Sequence, residues 1–255
     1  MFDYSFYGII WVFILYSVIG WCLEVIVSTM NSGKFINRGF LNGPYCPIYG
    51  VGVMSVLLLL LPIKDNLLLL FVSSILLTTA LELGTGYLLE RIFNQKWWDY
   101  AGENYNFKGY ICLQSSLIWG LACVFVVYVV QSIINNFVHL SSGDAGNLIA
   151  SALLFIFMLD IVITIISLSK VKQKNLILQD IGDRIRSLSG AIGQNISDGT
   201  TQAMKFGDNN MQELESLKKK YHVIINKKTF GYNRILRAFP KLGSIKPKLP
   251  DDKEK

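Results

Sequence analysis

At 255 residues, 52% hydrophobic and only 16% charged, the chain is too apolar for a soluble domain and has the composition of a polytopic membrane protein. Its charge is uneven: residues 1–169 hold six Lys/Arg against nine Asp/Glu, and residues 170–255 hold eighteen against nine. The reading is a transmembrane domain at 1–169 and a basic tail at 170–255, suited to the anionic inner face of a membrane; with two Tyr, three Phe and no RNA-binding signature, the tail is not expected to bind nucleic acid.

Apolar runs of about 20 residues are needed to cross a bilayer. They predict five spans, at 6–27, 48–63, 67–89, 111–134 and 148–168. The first lacks a basic leader segment and a small-residue cleavage site, so it reads as a true span. It carries Glu24 on one face with Trp21 and Ser28. The loop after it, from Asn37 to Gly50, reads NRGFLNGPYCPIYG. It packs Gly39, Gly43, Pro44, Pro47 and Gly50 around Arg38; Gly and Pro set unusual backbone angles, and Arg offers five planar donors for carboxylate or phosphate. The second span is short and polar at its start, which leaves a broken or re-entrant element open.

In the third span Thr78, Glu82, Gly86 and Glu90 step by four, forming one stripe. The following loop holds Trp97, Trp98, Asp99 and Tyr100, then Asn106 and Gly109, and the fourth span opens with Ser115 and Trp119. These aromatics suit a membrane interface. The fifth span carries Asp160, on one face with Thr164 and Ser167. In the tail, Leu178, Ile181, Ile185, Leu188 and Ile192 alternate spacings of three and four, a two-heptad seam or an interfacial helix. Residues 193–207 read as a linker, Met211, Leu214 and Leu217 as a second short helix, 234–239 as a basic amphipathic patch, and 247–255 as disordered.

Basic residues in short loops set orientation. Lys34 and Arg38 follow span one, Arg91, Lys96 and Lys108 follow span three, and the tail carries eighteen; only Lys64 follows span two and none follows span four. The N-terminus is therefore expected outside and the C-terminus in the cytoplasm. On that topology Glu24, Glu82 and Asp160 lie about 27, 22 and 18 Å along their spans at 1.5 Å per residue, all in the cytoplasmic half. An ionisable group inside a membrane costs several kcal/mol and marks a functional site by default. One polar chamber near the inner leaflet is expected, with Arg38 as its counter-charge.

Cys22, Cys46, Cys112 and Cys123 form no CxxC, and His139 and His222 are the only histidines; no metal site and no cofactor is expected.

The motifs together resemble a known family. Gly20-Trp21-x-x-Glu24, the NRGFLNGPYCPIYG run, and Trp98-Asp99-Tyr100 with downstream Asn106, Gly109, Ser115 and Trp119-Gly120 resemble the bacterial family labelled "Putative ABC-transporter type IV" over residues 6–165. Ala101 stands where the family pattern suggests Ser. The resemblance implies an all-α permease subunit in the cytoplasmic membrane, with Glu24, Asn37, Arg38, Glu82, Trp98, Asp99 and Asn106 as motif positions. These seven, with Asp160, which stands out by its depth and its polar face, are the candidates for substrate binding or the pathway. Gly39, Gly43, Pro44, Pro47, Gly50, Gly109 and Trp119 are structural motif positions.

No GxxxxGK[ST] occurs, so ATP phosphates would be cradled by a separate ATPase subunit. Five spans are few for a complete pathway, so a homo- or hetero-oligomer among membrane lipids is expected. The function expected is passage of a small polar or amphiphilic solute. A membrane-embedded enzyme acting on a lipid or polyprenyl substrate is the alternative, although no catalytic residue is assigned and no nucleophile elbow or HExxH appears. A non-transporting scaffold with a partner-docking tail is a third reading.

Overall fold

The computed structural model describes residues 5–93, 96–197, 201–227, 234 and 238, side chains excepted over 192–209. It is mostly helical. In chain order come α1 (Phe6–Ser32), α2 (Pro47–Leu60) with a 3-10 turn at Leu61–Ile63, α3 (Leu67–Phe93), two short strands β1 (Asn106–Phe107) and β2 (Ile111–Cys112), then α4 (Leu113–Phe125), a π segment at Val126–Val130, α5 (Gln131–Leu140), α6 (Asp144–Ser197) and α7 (Thr201–Asn226). Four stretches are long and apolar enough to cross a membrane: Phe6–Ser32, Leu67–Phe93, Leu113–Leu140 and Asp144–Ala191. Residues 48–63, expected as a further span, form the shorter apolar helix Pro47–Ile63.

Local chemistry explains the boundaries. Ser5 Oγ accepts from the Gly8 amide at 3.1 Å and starts α1, satisfying a donor that helical bonding leaves open. Gly33 ends it in the left-handed region at φ 68°, where a Cβ would be strained. Pro47 opens α2 at a position where a missing N–H is harmless. Asn66 Oδ1 accepts from the Leu69 amide at 3.0 Å at the start of α3.

The chain divides into two compact units, Met1–Ile165 with Arg237–Phe239, and Ile166–Leu236 with Pro240–Lys255. In the first, α1 packs on α2 and α3 on α4. Its core gathers Val12, Ile14, Tyr16, Leu41, Leu57 and Phe157. A polar pair is buried inside it, where the Tyr16 hydroxyl donates to Gln131 Oε1 at 2.8 Å; Gln131 Nε2 in turn donates to the part-buried Asn135 Oδ1 at 2.7 Å. The π segment lies just before Gln131, and its Tyr128 hydroxyl donates to the Lys64 carbonyl.

The second unit is built on α6 and α7. Leu178, Ile181, Ile185, Leu214 and Tyr221 form its core, and Lys174 Nζ donates to the Ile225 and Lys227 carbonyls at 3.1 and 2.9 Å. The seam expected at Leu178, Ile181 and Ile185 is therefore a buried face; the side chain of Ile192 lies outside the described residues. Of the linker expected at 193–207, residues 193–197 are corrected to helix in α6 and 201–207 to helix in α7; 198–200 lie outside the described residues. A helical glycine costs about 1 kcal/mol relative to Ala, too little to stop helices that are already nucleated. The patch at 234–239, apart from Arg234 and Ala238, and the segment 247–255 lie outside the described residues.

The loop between α3 and α4 departs from an all-helical reading. β1 and β2 pair antiparallel, Asn106 opposite Cys112 and Phe107 opposite Ile111. The turn uses left-handed backbone at Lys108 (φ 51°) and Gly109 (φ 74°), with Tyr105 also positive at 53°. Gly109 suits this position; the other two are strained.

Candidate functional site

Each of the three acids ends in a different environment. Glu24 is half-buried on α1, and its Oε1 accepts from the Tyr49 hydroxyl of α2 at 2.9 Å. α1 and α2 approach closely here, because a Cβ at Gly20 would overlap the Tyr49 ring. The same ring meets Trp119 of α4, edge to face, with centroids 5.3 Å apart.

Glu82 is 9% exposed on α3. Its Oε1 accepts from the Tyr100 hydroxyl at 3.0 Å and from Ser115 Oγ at 3.3 Å, and the Trp119 side chain bonds to it as well. Burial pushes the Tyr100 phenol up to about 12, with the Glu82 charge acting in the same direction and Ser115 opposing it. The phenol therefore stays protonated and remains a donor. Glu24, Tyr49, Trp119, Glu82 and Tyr100 thus form a contiguous run from α1 through α2 and α4 to α3. Hydrogen bonds to a charged group contribute about 1.5–3 kcal/mol each, so this run can hold carboxylates in an apolar body.

Asp160 belongs to a separate network. Its Oδ1 accepts from the Asn42 amide at 3.2 Å and from Asn42 Nδ2 at 2.9 Å, and its Oδ2 accepts from the Gly43 amide at 2.7 Å. Thr164, one turn on, donates to Oδ1 at 3.3 Å and accepts from Asn42 Nδ2 at 2.8 Å. Two backbone amides and a side-chain amide converging on one carboxylate make a latch that fastens the 37–46 loop to α6.

The rest of that loop is organised by Asn37. Its Oδ1 accepts from Trp21 Nε1 at 2.8 Å and the Gly39 amide at 3.0 Å, while Nδ2 donates to the Asn42 carbonyl at 3.0 Å. Gly39 is buried against Trp21, Pro44 is exposed, and the Cys46 amide after it donates to the Ser17 carbonyl at 2.9 Å. Gly50 sits within α2, where a Cβ would meet the Phe13 carbonyl at 2.7 Å.

The second loop is closed in the same way. Trp98 Nε1 donates to the Tyr110 carbonyl at 2.8 Å. The exposed Asp99 accepts from the Ala101 amide at 3.0 Å. Asn106 donates to the Glu103 carbonyl at 2.8 Å and accepts from the Gly109 amide at 3.1 Å. Phe40 of the first loop meets Trp97 of the second at 5.2 Å between ring centroids, so the two loops pack on one another.

The single chamber expected for all three acids is therefore divided: Glu24 and Glu82 share one aromatic network and Asp160 lies in the latch. Arg38 is not their counter-charge, since the one ion pair among the described residues joins Arg184 to Asp180. Aromatic hydroxyls, an indole and a serine replace it, giving dipoles without adding a charge that would itself need solvation. Tyr49, Ser115 and Tyr100 as carboxylate donors, and Asn42 as the latch, were not separable from their motifs by sequence. Asn42 and Asp160 are 118 residues apart, a pairing no local pattern encodes.

A family model described as "Putative ABC-transporter type IV" matches residues 11–165, more than half of the chain. No curated protein and no solved structure matches. The matched stretch contains both loops, the carboxylate network and the latch.

Proposed function

Because the chain belongs to the Putative ABC-transporter type IV family, we propose that it is the membrane subunit of an ATP-driven transporter, working with a separate ATPase chain. The pathway for a small polar or amphiphilic solute runs past Glu24 and Glu82. The observation that carries this reading is Glu82, 9% exposed in an apolar helix and held by Tyr100 and Ser115. A buried acid joined to a second acid through aromatic side chains offers a polar solute successive hydrogen-bonding partners inside an apolar body. Asn37, Trp98, Asp99 and Asn106 brace the two loops that frame this path, and Asp160 fastens one of them.

We propose five crossings. Fourteen residues of α2 rise about 21 Å, and its three-residue 3-10 turn adds about 6 Å. That length approaches the ~30 Å hydrocarbon core. The distribution of Lys and Arg then places the N-terminus outside and the basic tail at the cytoplasmic face of the cell membrane. The chain assembles as a homo- or hetero-oligomer, which supplies the helices that one copy lacks.

The test is to purify the tagged protein in mild detergent from its native host and identify co-purifying chains by mass spectrometry. A near-stoichiometric P-loop subunit is expected. In lipid nanodiscs, phosphate release by that complex should change several-fold with Glu82→Gln while assembly is unaffected. An intact protein with no such subunit would overturn the permease reading.

A further inference from the structure

An open groove of about 440 Å³ runs beside the loop between α3 and α4, away from the carboxylate network. Its wall is one face of α4: Leu113, Leu117 and Leu121 step by four, with Gln114 and Ile118 beside them. Leu117, Ile118 and Leu121 are 41%, 57% and 62% exposed, and α4 lies in a stretch able to cross a membrane. This stripe is about 12 Å long at 1.5 Å per residue, running with the helix axis as a lipid chain would. Its roof is polar, formed by Glu103, Asn104 and Tyr105.

The roof is fixed in place. The Glu103 amide donates to the Tyr100 carbonyl at 2.9 Å, and the Glu103 carbonyl accepts from Asn106 Nδ2 at 2.8 Å. The Leu113 amide donates to the Tyr105 carbonyl at 3.3 Å. Tyr105 is 84% exposed and held at φ 53°, strain that the surrounding bonds must sustain. The Glu103 carboxylate forms no ion pair among the described residues. It is the one charged side chain on the groove lining, and no Lys or Arg accompanies it.

We infer that this groove is a binding site for a phospholipid whose headgroup carries a primary ammonium, of the phosphatidylethanolamine class. The ammonium donates hydrogen bonds to the Glu103 carboxylate. The Tyr105 ring presents a π face for the same cation. The Asn104 and Gln114 amides donate to the phosphate and glycerol oxygens. One acyl chain lies along Leu117, Ile118 and Leu121. An anionic headgroup would set its charge against Glu103 without compensation, and a quaternary ammonium has no N–H to give the carboxylate.

The test is native mass spectrometry of the full chain in detergent, with phosphatidylethanolamine, phosphatidylcholine or phosphatidylglycerol of identical acyl chains added one at a time. The wild type should retain the ethanolamine lipid at least fivefold better than the other two. Glu103→Gln should bring the three within twofold of one another. Ile118→Trp, which fills the groove from an exposed position, should lower retention of the ethanolamine lipid to the level of the others. Equal retention of the three lipids by the wild type, or a preference that survives Glu103→Gln or Ile118→Trp, would overturn the assignment.

Discussion

Single residues carry the polar architecture, and they differ in what their removal leaves behind. Asp160→Ala strips the acceptor from two backbone amides and the Asn42 side chain. Each of these part-buried donors left unpaired costs up to about 1–3 kcal/mol, so this variant should melt below the wild type, and trypsin should cut faster at Lys34 and Arg38. Asp160→Asn keeps one oxygen acceptor and should fall between the two. Tyr100→Phe removes one donor from Glu82. The transporter reading expects it to change ATP hydrolysis in the direction of Glu82→Gln, with a smaller effect. Glu24, Glu82 and Asp160 were visible in sequence because a carboxylate within an apolar run contradicts its surroundings. Their partners were not, because serine, tyrosine and asparagine are ordinary residues at a membrane interface, and nothing local says which of them faces an acid. Arg38 illustrates the opposite error: a lone cation near three anions suggested a pair that the fold does not make.

At the scale of elements, close approach of helices decides which glycines matter. A Cβ at Gly20 would overlap the Tyr49 ring, and one at Gly50 would press on the Phe13 carbonyl, whereas one at Gly52 meets nothing within 4 Å. Overpacking a filled interface costs about 1–3 kcal/mol. Gly20→Ala and Gly50→Ala should therefore lower the melting temperature. Gly50→Ala should be the worse of the two, because backbone cannot step aside as a side chain can. Gly52→Ala should be neutral or stabilising by up to about 1 kcal/mol through helix propensity. The long apolar helices were readable from composition because a span must satisfy its own backbone. The β1–β2 turn was not, since two-residue strands leave no periodicity. Residues 193–197 and 201–207 misled for another reason: Gly and Asn are turn formers by preference, but that preference is weak beside the cooperativity of a growing helix. Within the second unit, Ile185 is fully buried among Leu178, Ile181 and Tyr221. Ile185→Ala should cost about 2–5 kcal/mol, read as faster amide exchange across 174–191 in the full chain.

For the whole molecule, the parity of crossings is the quantity that orientation rests on. Five crossings place the two ends on opposite sides of the membrane; four place them on the same side. Single cysteines introduced at Ser5 and Ser216, in a background freed of the native cysteines, should react with an impermeant maleimide from opposite faces. Labelling of both from one face would make α2 a re-entrant element and reverse the expected orientation of one end. The charge asymmetry was legible from counting alone, and the family from two loop motifs. Neither names a substrate, because the polar groups inside the apolar body are the same groups that hold the fold together.

The latch also has a consequence in time. Asp160 leaves the ribosome 118 residues after Asn42, and at 5–20 residues per second that is a wait of roughly 6–24 s. During that interval the segment Asn37–Cys46 has its Trp21 and Ser17 contacts available but not its final fastening. A nascent chain that stalls before α6 therefore exposes an unfastened stretch that carries Arg38 within it and has Lys34 three residues before it. The same carboxylate that completes the loop thus makes it a record of whether synthesis reached the last membrane helix.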